Sequence, residues 1–183
     1  MAEVELQQGF ERCLSDSLDL IVGRCGPGAS ASRVVDVWNL PPSDREALIS
    51  LGVPIFEDTR QSPIQLAGEV QSAELPSLTE RGYLAYRIGR YWRREIGVLE
   101  QSGTVIGVPE YAELDVSFLN SSLAAFLEIA WRWNCARKIL LATEDYEQLY
   151  ENLGRFQDFV HRLDPIVSSD PRYAWWNGII EGW

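Results

Sequence analysis

Between Gly82 and Trp133 the spacing of apolar residues switches from strand-like to helical, and that switch limits the fold more than any other feature of the chain. GYLAYRIG at 82–89 alternates. EIGVLE and TVIGVPEY then flank Gln101-Ser102-Gly103, a short glycine-containing link that suits a hairpin. Asp115 to Leu119 reads as a further strand and PIQLAGEV at 63–70 as an earlier one. After Asn120-Ser121-Ser122, Leu123, Phe126, Leu127, Ala130 and Trp131 recur on one face of a helix. Links this short join antiparallel neighbours, because a parallel pair needs a long crossover. The expected fold is α+β: an antiparallel, or partly mixed, sheet of about four to six strands packed against helices.

The flanking segments supply those helices. Residues 3–22 read as a first helix, with Leu6, Phe10, Cys13, Leu14, Leu18 and Ile21 at roughly helical spacing. GRCGPGASAS at 23–32 ends it as a loop, and RVVDVW at 33–38 reads as a short strand. In PPSDREALISLGVP, Ser43 and Glu46 have the spacing of a capping box, and Gly52 and Pro54 stop the helix after Leu51. Asn120, Ser121 and Ser122 are explained by capping, since their side-chain oxygens can accept the free N–H groups of a first helical turn. Arg137 and Lys138 are expected in the last turn of that helix, complementing its dipole. A further helix begins near Thr143, with Tyr146, Leu149, Tyr150, Leu153, Phe156 and Val160 as its buried stripe and Asp164-Pro165 as its end. Asp170-Pro171 opens a last element in which Trp176, Ile179, Ile180 and Trp183 form an amphipathic face.

A chain of 183 residues fits one domain, residues 1–183. Sixteen basic residues against twenty-seven acidic ones give a formal charge of −11. That charge opposes simple attraction to nucleic acid or anionic lipid and suits a basic protein partner. Cys13, Cys25 and Cys135 contain no CxxC pair and are odd in number, so no disulfide framework or zinc site is expected and a reducing cytoplasm fits. The start MAEVELQQGFERC lacks the basic residues and apolar run of a signal peptide, and no apolar run has the length of a membrane span. No cofactor or metal is expected.

Catalytic signatures are not found. His161 is the single histidine, which removes two-histidine metal sites. Ser121 and Ser122 lack the G-x-S-x-G elbow, and neither a Walker A loop nor GxGxxG occurs. Paired carboxylates stay open as an alternative, because sequence does not show which acidic residues meet in space. RGYLAYRIGRYWRR interleaves five arginines with aromatic residues. Such a mixture can bind single-stranded nucleic acid, but on an alternating strand the arginines also read as a wet face with acidic partners opposite.

DREALISLGVP, YLAYRIG, IGVLEQSGTVIGV and FLNSSLAAFLEI, in this order between Asp44 and about Trp133, resemble the fourth subfamily of the SUKH superfamily of bacterial immunity proteins. The C-terminal DPRYAWWNGIIEGW is also similar, while residues 1–32 lie outside the clear match. The resemblance implies an α+β domain without catalytic residues that binds and neutralises a cognate toxin, often a nuclease or nucleotide-modifying enzyme. Arg90, Tyr91 and Trp92 at a strand end, with Glu110, Tyr111, Glu113 and Asp115 in the loop before the capped helix, are the expected partner contacts; an ordinary solvated loop is the alternative. No direct nucleic-acid or membrane contact is expected, and a monomer is favoured. The competing functions are a regulatory or scaffolding domain of the same fold and a carboxylate-dependent hydrolase.

Overall fold

The computed structural model describes residues 3–26, 28, 33–55, 66–68, 70–80, 82–91, 93–111 and 114–182. The alternating segments form the sheet. Among the described residues its strands are β1 (Leu66–Gly68), β2 (Leu78–Glu80), β3 (Tyr83–Tyr91), β4 (Arg94–Leu99), β5 (Val105–Pro109) and β6 (Ser117–Asn120). Every pairing is antiparallel, in the order β1-β3-β4-β5-β6, with β2 also on β3. β1 pairs with the Tyr91 end of β3 and β2 with its Tyr83 end. The register of β3 against β4 shifts between Arg87 and Gly89, a bulge at the Ile-Gly end of the alternating run. The β4–β5 link turns where expected: Gln101 and Gly103 have φ of 68° and 73°, and Gly103 N–H donates to Leu99 O at 3.1 Å.

The helices are α1 (Glu3–Ser15), α2 (Leu18–Cys25), α3 (Pro42–Leu51), α4 (Leu123–Ala142), α5 (Tyr146–Leu163), α6 (Ile166–Ser169) and α7 (Trp175–Glu181), with 3-10 turns at Arg33–Val37 and Pro171–Tyr173. α4 is the hub. Leu123, Phe126, Ile129, Ala130, Trp131, Trp133 and Ala136 are all buried, so the helix is covered on every side. α1, α2 and α3 pack along it, while Ile88, Ile96, Val98, Val105 and Leu119 of the sheet belong to the same core. None of the described helices is long and apolar enough to cross a membrane.

Several local expectations are corrected. The first helix breaks at Asp16-Ser17. There the buried Arg132 guanidinium of α4 donates to Cys13 O and Asp16 O at 2.9 and 3.1 Å, taking carbonyls that the helix end leaves free. Residues 33–37 form a 3-10 turn, not a strand, because Val35 and Trp38 are buried three residues apart. Trp38 stacks on Tyr86 at 4.5 Å and donates to Ala73 O. The Ser43 and Glu46 box does not form. The cap of α3 is Pro41, and Asp44 turns inward to accept from Ala124 N–H at 2.9 Å, adding a second cap to α4 beside Ser122. Burial pushes the Asp44 carboxyl up, offset in part by its bonds to the Ala124 and Leu123 amides.

Arg137 is not at a helix end: Ile139, Leu140 and Leu141 carry α4 on to Ala142, and Arg137 is buried. In α5, Leu153, Phe156 and Val160 form the inner stripe, but Tyr146 and Tyr150 face outward at 74 % and 67 % exposure. Trp176, Ile179 and Ile180 of α7 are buried as expected, and Trp183 lies outside the described residues. Cys25 and Cys135 are joined as a disulfide across 110 residues, where the sequence reading expected no disulfide framework. Spacing rules look for partners nearby in sequence and miss a pair that only tertiary packing of α2 on α4 assembles. Cys13 is free and buried, and burial pushes its thiol up to about 11.

Candidate partner-binding surface

The Asn-Ser-Ser segment resolves into a brace around the buried Asn120 and Asp164. Asp164, at the end of α5, accepts from Asn120 Nδ2, Ser121 N–H and Ser121 Oγ, each at 2.8 Å. Asn120 Oδ1 accepts from Trp176 Nε1 at 2.8 Å, tying α7 to the same point. Ser122 Oγ caps α4 by accepting from Ala125 N–H. Both serines are thus committed to structure. His161 Nε2 meets Asn177 Oδ1 at 3.0 Å, an α5-to-α7 contact. Among the described residues no three of His, Cys, Asp and Glu are grouped as metal ligands.

The expected contact residues gather at one end of the sheet. β3 and β4 are antiparallel, so Arg90 faces Glu95 across the ladder. Their side chains approach to 3.7 Å, Arg87 reaches the same Glu95 at 3.4 Å, and Arg90 comes within 4.0 Å of Glu110. These half-exposed pairs contribute little stability, but they hold the arginines in a fixed row. They also bear out the reading of the strand arginines as a wet face with acidic partners opposite.

Beyond β5 the loop returns over the hairpin. Glu110 N–H donates to Arg93 O at 2.9 Å, and Arg93 donates to Tyr111 Oη at 3.0 Å with its guanidinium 5.5 Å from the ring centre. Arg94 holds the far side of the loop through Asp115 O at 3.1 Å. Tyr91 lies edge-on to Trp175 at 4.9 Å, and burial pushes its phenol up to about 12.

Two concavities flank this loop. A hollow of about 270 Å³ is lined by Tyr91, Arg93, Arg94, Tyr111 and Leu114. A more open groove of about 640 Å³ runs along Tyr83, Asp115, Phe118, Arg172 and Trp175. The fold therefore brings together Arg90, Tyr91, Glu110, Tyr111 and Asp115, while Trp92 and Glu113 lie outside the described residues. Sequence reasoning missed Leu114, Phe118, Arg172 and Trp175. Trp175 carried one signal: with Trp176, Ile179 and Ile180 on the buried face, its neighbour had to point elsewhere. Chemically the surface offers aromatic faces, guanidinium groups and exposed carboxylates, the residue types that anchor protein contacts.

The internal fastenings and the residues carrying the sequence resemblance coincide. Gly52 closes α3 at φ 65° and its carbonyl accepts from Trp131 Nε1 at 3.2 Å. Gly89 follows the bulge, Gly103 packs against Asp44, and Asn120 and Ser121 hold Asp164. The family model described as SUKH-4 immunity protein matches residues 14–182, almost the whole chain. The chain belongs to the SUKH-4 immunity protein family. The match reaches well beyond residues 44–133 and takes in most of the N-terminal segment that the motifs left out. No curated protein and no solved structure matches the chain. As a SUKH-4 member it has toxin immunity as its implied role and a cognate toxin as its implied partner.

Proposed function

We propose that this SUKH-4 protein neutralises its toxin by tight one-to-one binding and performs no bond-breaking chemistry. The family match over residues 14–182 carries this reading. The contacts assigned to this binding are Arg90, Tyr91, Trp92, Glu110, Tyr111, Glu113 and Asp115. Arg and Tyr among them support this, because they dominate the energetically important positions of interfaces. The toxin proposed is a nuclease or nucleotide-modifying enzyme. Such enzymes bind polyanions in basic clefts, and a chain of charge −11 is attracted to that field. The protein acts as a single-domain monomer that makes no direct contact with nucleic acid. It acts in the cytoplasm, where a toxin of this kind finds its substrate; the Cys25–Cys135 disulfide removes the thiol argument for that compartment.

The test is rescue of growth. Co-expressing the chain with the toxin domain encoded beside it should restore growth. A Glu110→Lys, Asp115→Lys variant should lower the toxin dose tolerated by about tenfold or more, as loss of interfacial charge pairs does elsewhere. Full rescue by that variant removes these two residues from the interface, and no rescue by the natural chain removes the function.

A further inference from the structure

We infer that the outer face of α5 is a second docking surface, shaped to take a basic protein cleft. The inference rests on the proposed function and adds to it where the partner's positive charge is met. It begins with the two tyrosines that the fold leaves out. Tyr146 and Tyr150 occupy positions that the apolar pattern of α5 assigns to the core, yet they stand 74 % and 67 % exposed. They lie four residues apart, on one flank of the helix. Tyrosine in this setting gives a partner a large rigid apolar face and a hydroxyl for a hydrogen bond, at small entropic cost.

The charge beside them is of one sign. Glu147, Glu151, Gly154 and Asp158 are exposed at i, i+4, i+7 and i+11, a straight stripe along the crest of α5. Glu144 and Asp145 extend it past the helix start. The nearest cation on the helix, Arg155, donates chiefly to Glu11 Oε2 of α1 at 2.6 Å and lies 5.8 Å from the Phe10 ring, with a weaker attraction to Glu151. His161 and Arg162 sit only at the far end. On the side toward α1 lies a hollow of about 320 Å³, with Glu3, Glu144 and Asp145 among its lining residues and no lysine or arginine. A crest of carboxylates, a flanking aromatic pair and an acidic hollow are complementary to a cleft lined by lysine and arginine.

The strand-end surface differs in kind. There Glu110 already faces Arg90, Arg93 and Arg94 bring positive charge, and Arg172 is paired with Asp170 at 2.6 Å. The α5 face thus presents five exposed carboxylates, those of Glu144, Asp145, Glu147, Glu151 and Asp158. A second copy of the chain is a poor occupant, since two such faces repel, and nucleic acid is repelled for the same reason.

The test uses the full chain and the toxin domain encoded by the adjacent gene. Binding is measured by titration calorimetry and stopped-flow at low and moderate salt. Tyr146→Ala with Tyr150→Ala should weaken the complex about tenfold or more, mainly through faster dissociation. Glu147→Lys with Glu151→Lys should slow association about tenfold at low salt and flatten its salt dependence. All four positions are exposed, so unchanged far-ultraviolet dichroism and thermal midpoint serve as the folding control. Binding within twofold of the natural chain in both variants overturns the inference while leaving the proposed function intact. Failure of the natural chain to bind at all overturns both. A dimer of the natural chain that the tyrosine variant dissolves also overturns it, by giving the face to a second copy.

Discussion

A chain carrying Asp164→Ala is expected to be about 2–4 kcal/mol less stable than the natural one, the cost of losing three hydrogen bonds to a buried carboxylate. Asp164 is 2 % exposed and receives three hydrogen bonds from Asn120 and Ser121, while Asn120 also holds the indole of Trp176. Removing the carboxylate leaves the Asn120 amide buried without its acceptor, while the exposed Ser121 can turn to water. It also unties the end of α5 from β6, while the Asn120–Trp176 and His161–Asn177 bonds to α7 remain. Asp164→Asn keeps an acceptor and should lose less, about 1–2 kcal/mol. Urea unfolding measures both, with the slope unchanged if the native and unfolded states stay as compact as before. A loss below about 1 kcal/mol for the alanine variant would mean that the brace is not what fixes these elements.

The second large effect is expected at Gly103. Its φ of 73° lies in the left-handed region, which costs an L-residue about 1–2 kcal/mol. A Cβ there would also run into the Asp44 carboxylate, the group that caps α4 through Ala124. The carboxylate must then move, and α4 loses a cap worth about 1 kcal/mol. Gly103→Ala should therefore destabilise by about 2–3 kcal/mol in the same unfolding measurement. The mechanism has a distinguishing mark. With Asp44→Ala already in place the clash is gone, so the two changes together should cost clearly less than their sum. Simple additivity would leave the turn conformation alone as the cause.

These positions show what could be read from the chain beforehand. The antiparallel sheet from β3 to β6 was legible because a short link joins each strand to the next, whereas β2 was not read and β1 passes it to pair with β3. The cap at Ser122 was legible because it acts within one turn. Partners distant in sequence were not. The Ser43 and Glu46 spacing suggested a local cap, yet Asp44 between them is drawn across the fold to α4. Likewise Arg132 reaches back to Cys13 and Asp16, and Cys25 finds Cys135, through packing of α1 and α2 on α4. Tyr146 and Tyr150 misled because tyrosine fits either side of a surface, so a helical stripe that includes it has no definite edge.

The candidate surface divides along the same line. Arg90, Glu95 and Glu110 come together because they sit on neighbouring strands of one meander, which sequence order alone predicts. Phe118, Arg172 and Trp175 complete the groove from β6 and the C-terminal turns, whose placement depends on the Asp164 brace. The stability of the interior and the shape of the surface are in this way one problem. A variant that loosens the brace should also blunt binding.

The central claim is that the protein works by occupancy. Purified toxin domain at a fixed concentration, well above the dissociation constant, should lose activity in a straight line as the chain is added, reaching zero at one equivalent. Both proteins should be recovered unaltered in mass after the complex is dissociated in denaturant. Complete inactivation by a small fraction of an equivalent, or a covalent change in the toxin, would contradict the account and make the chain an enzyme.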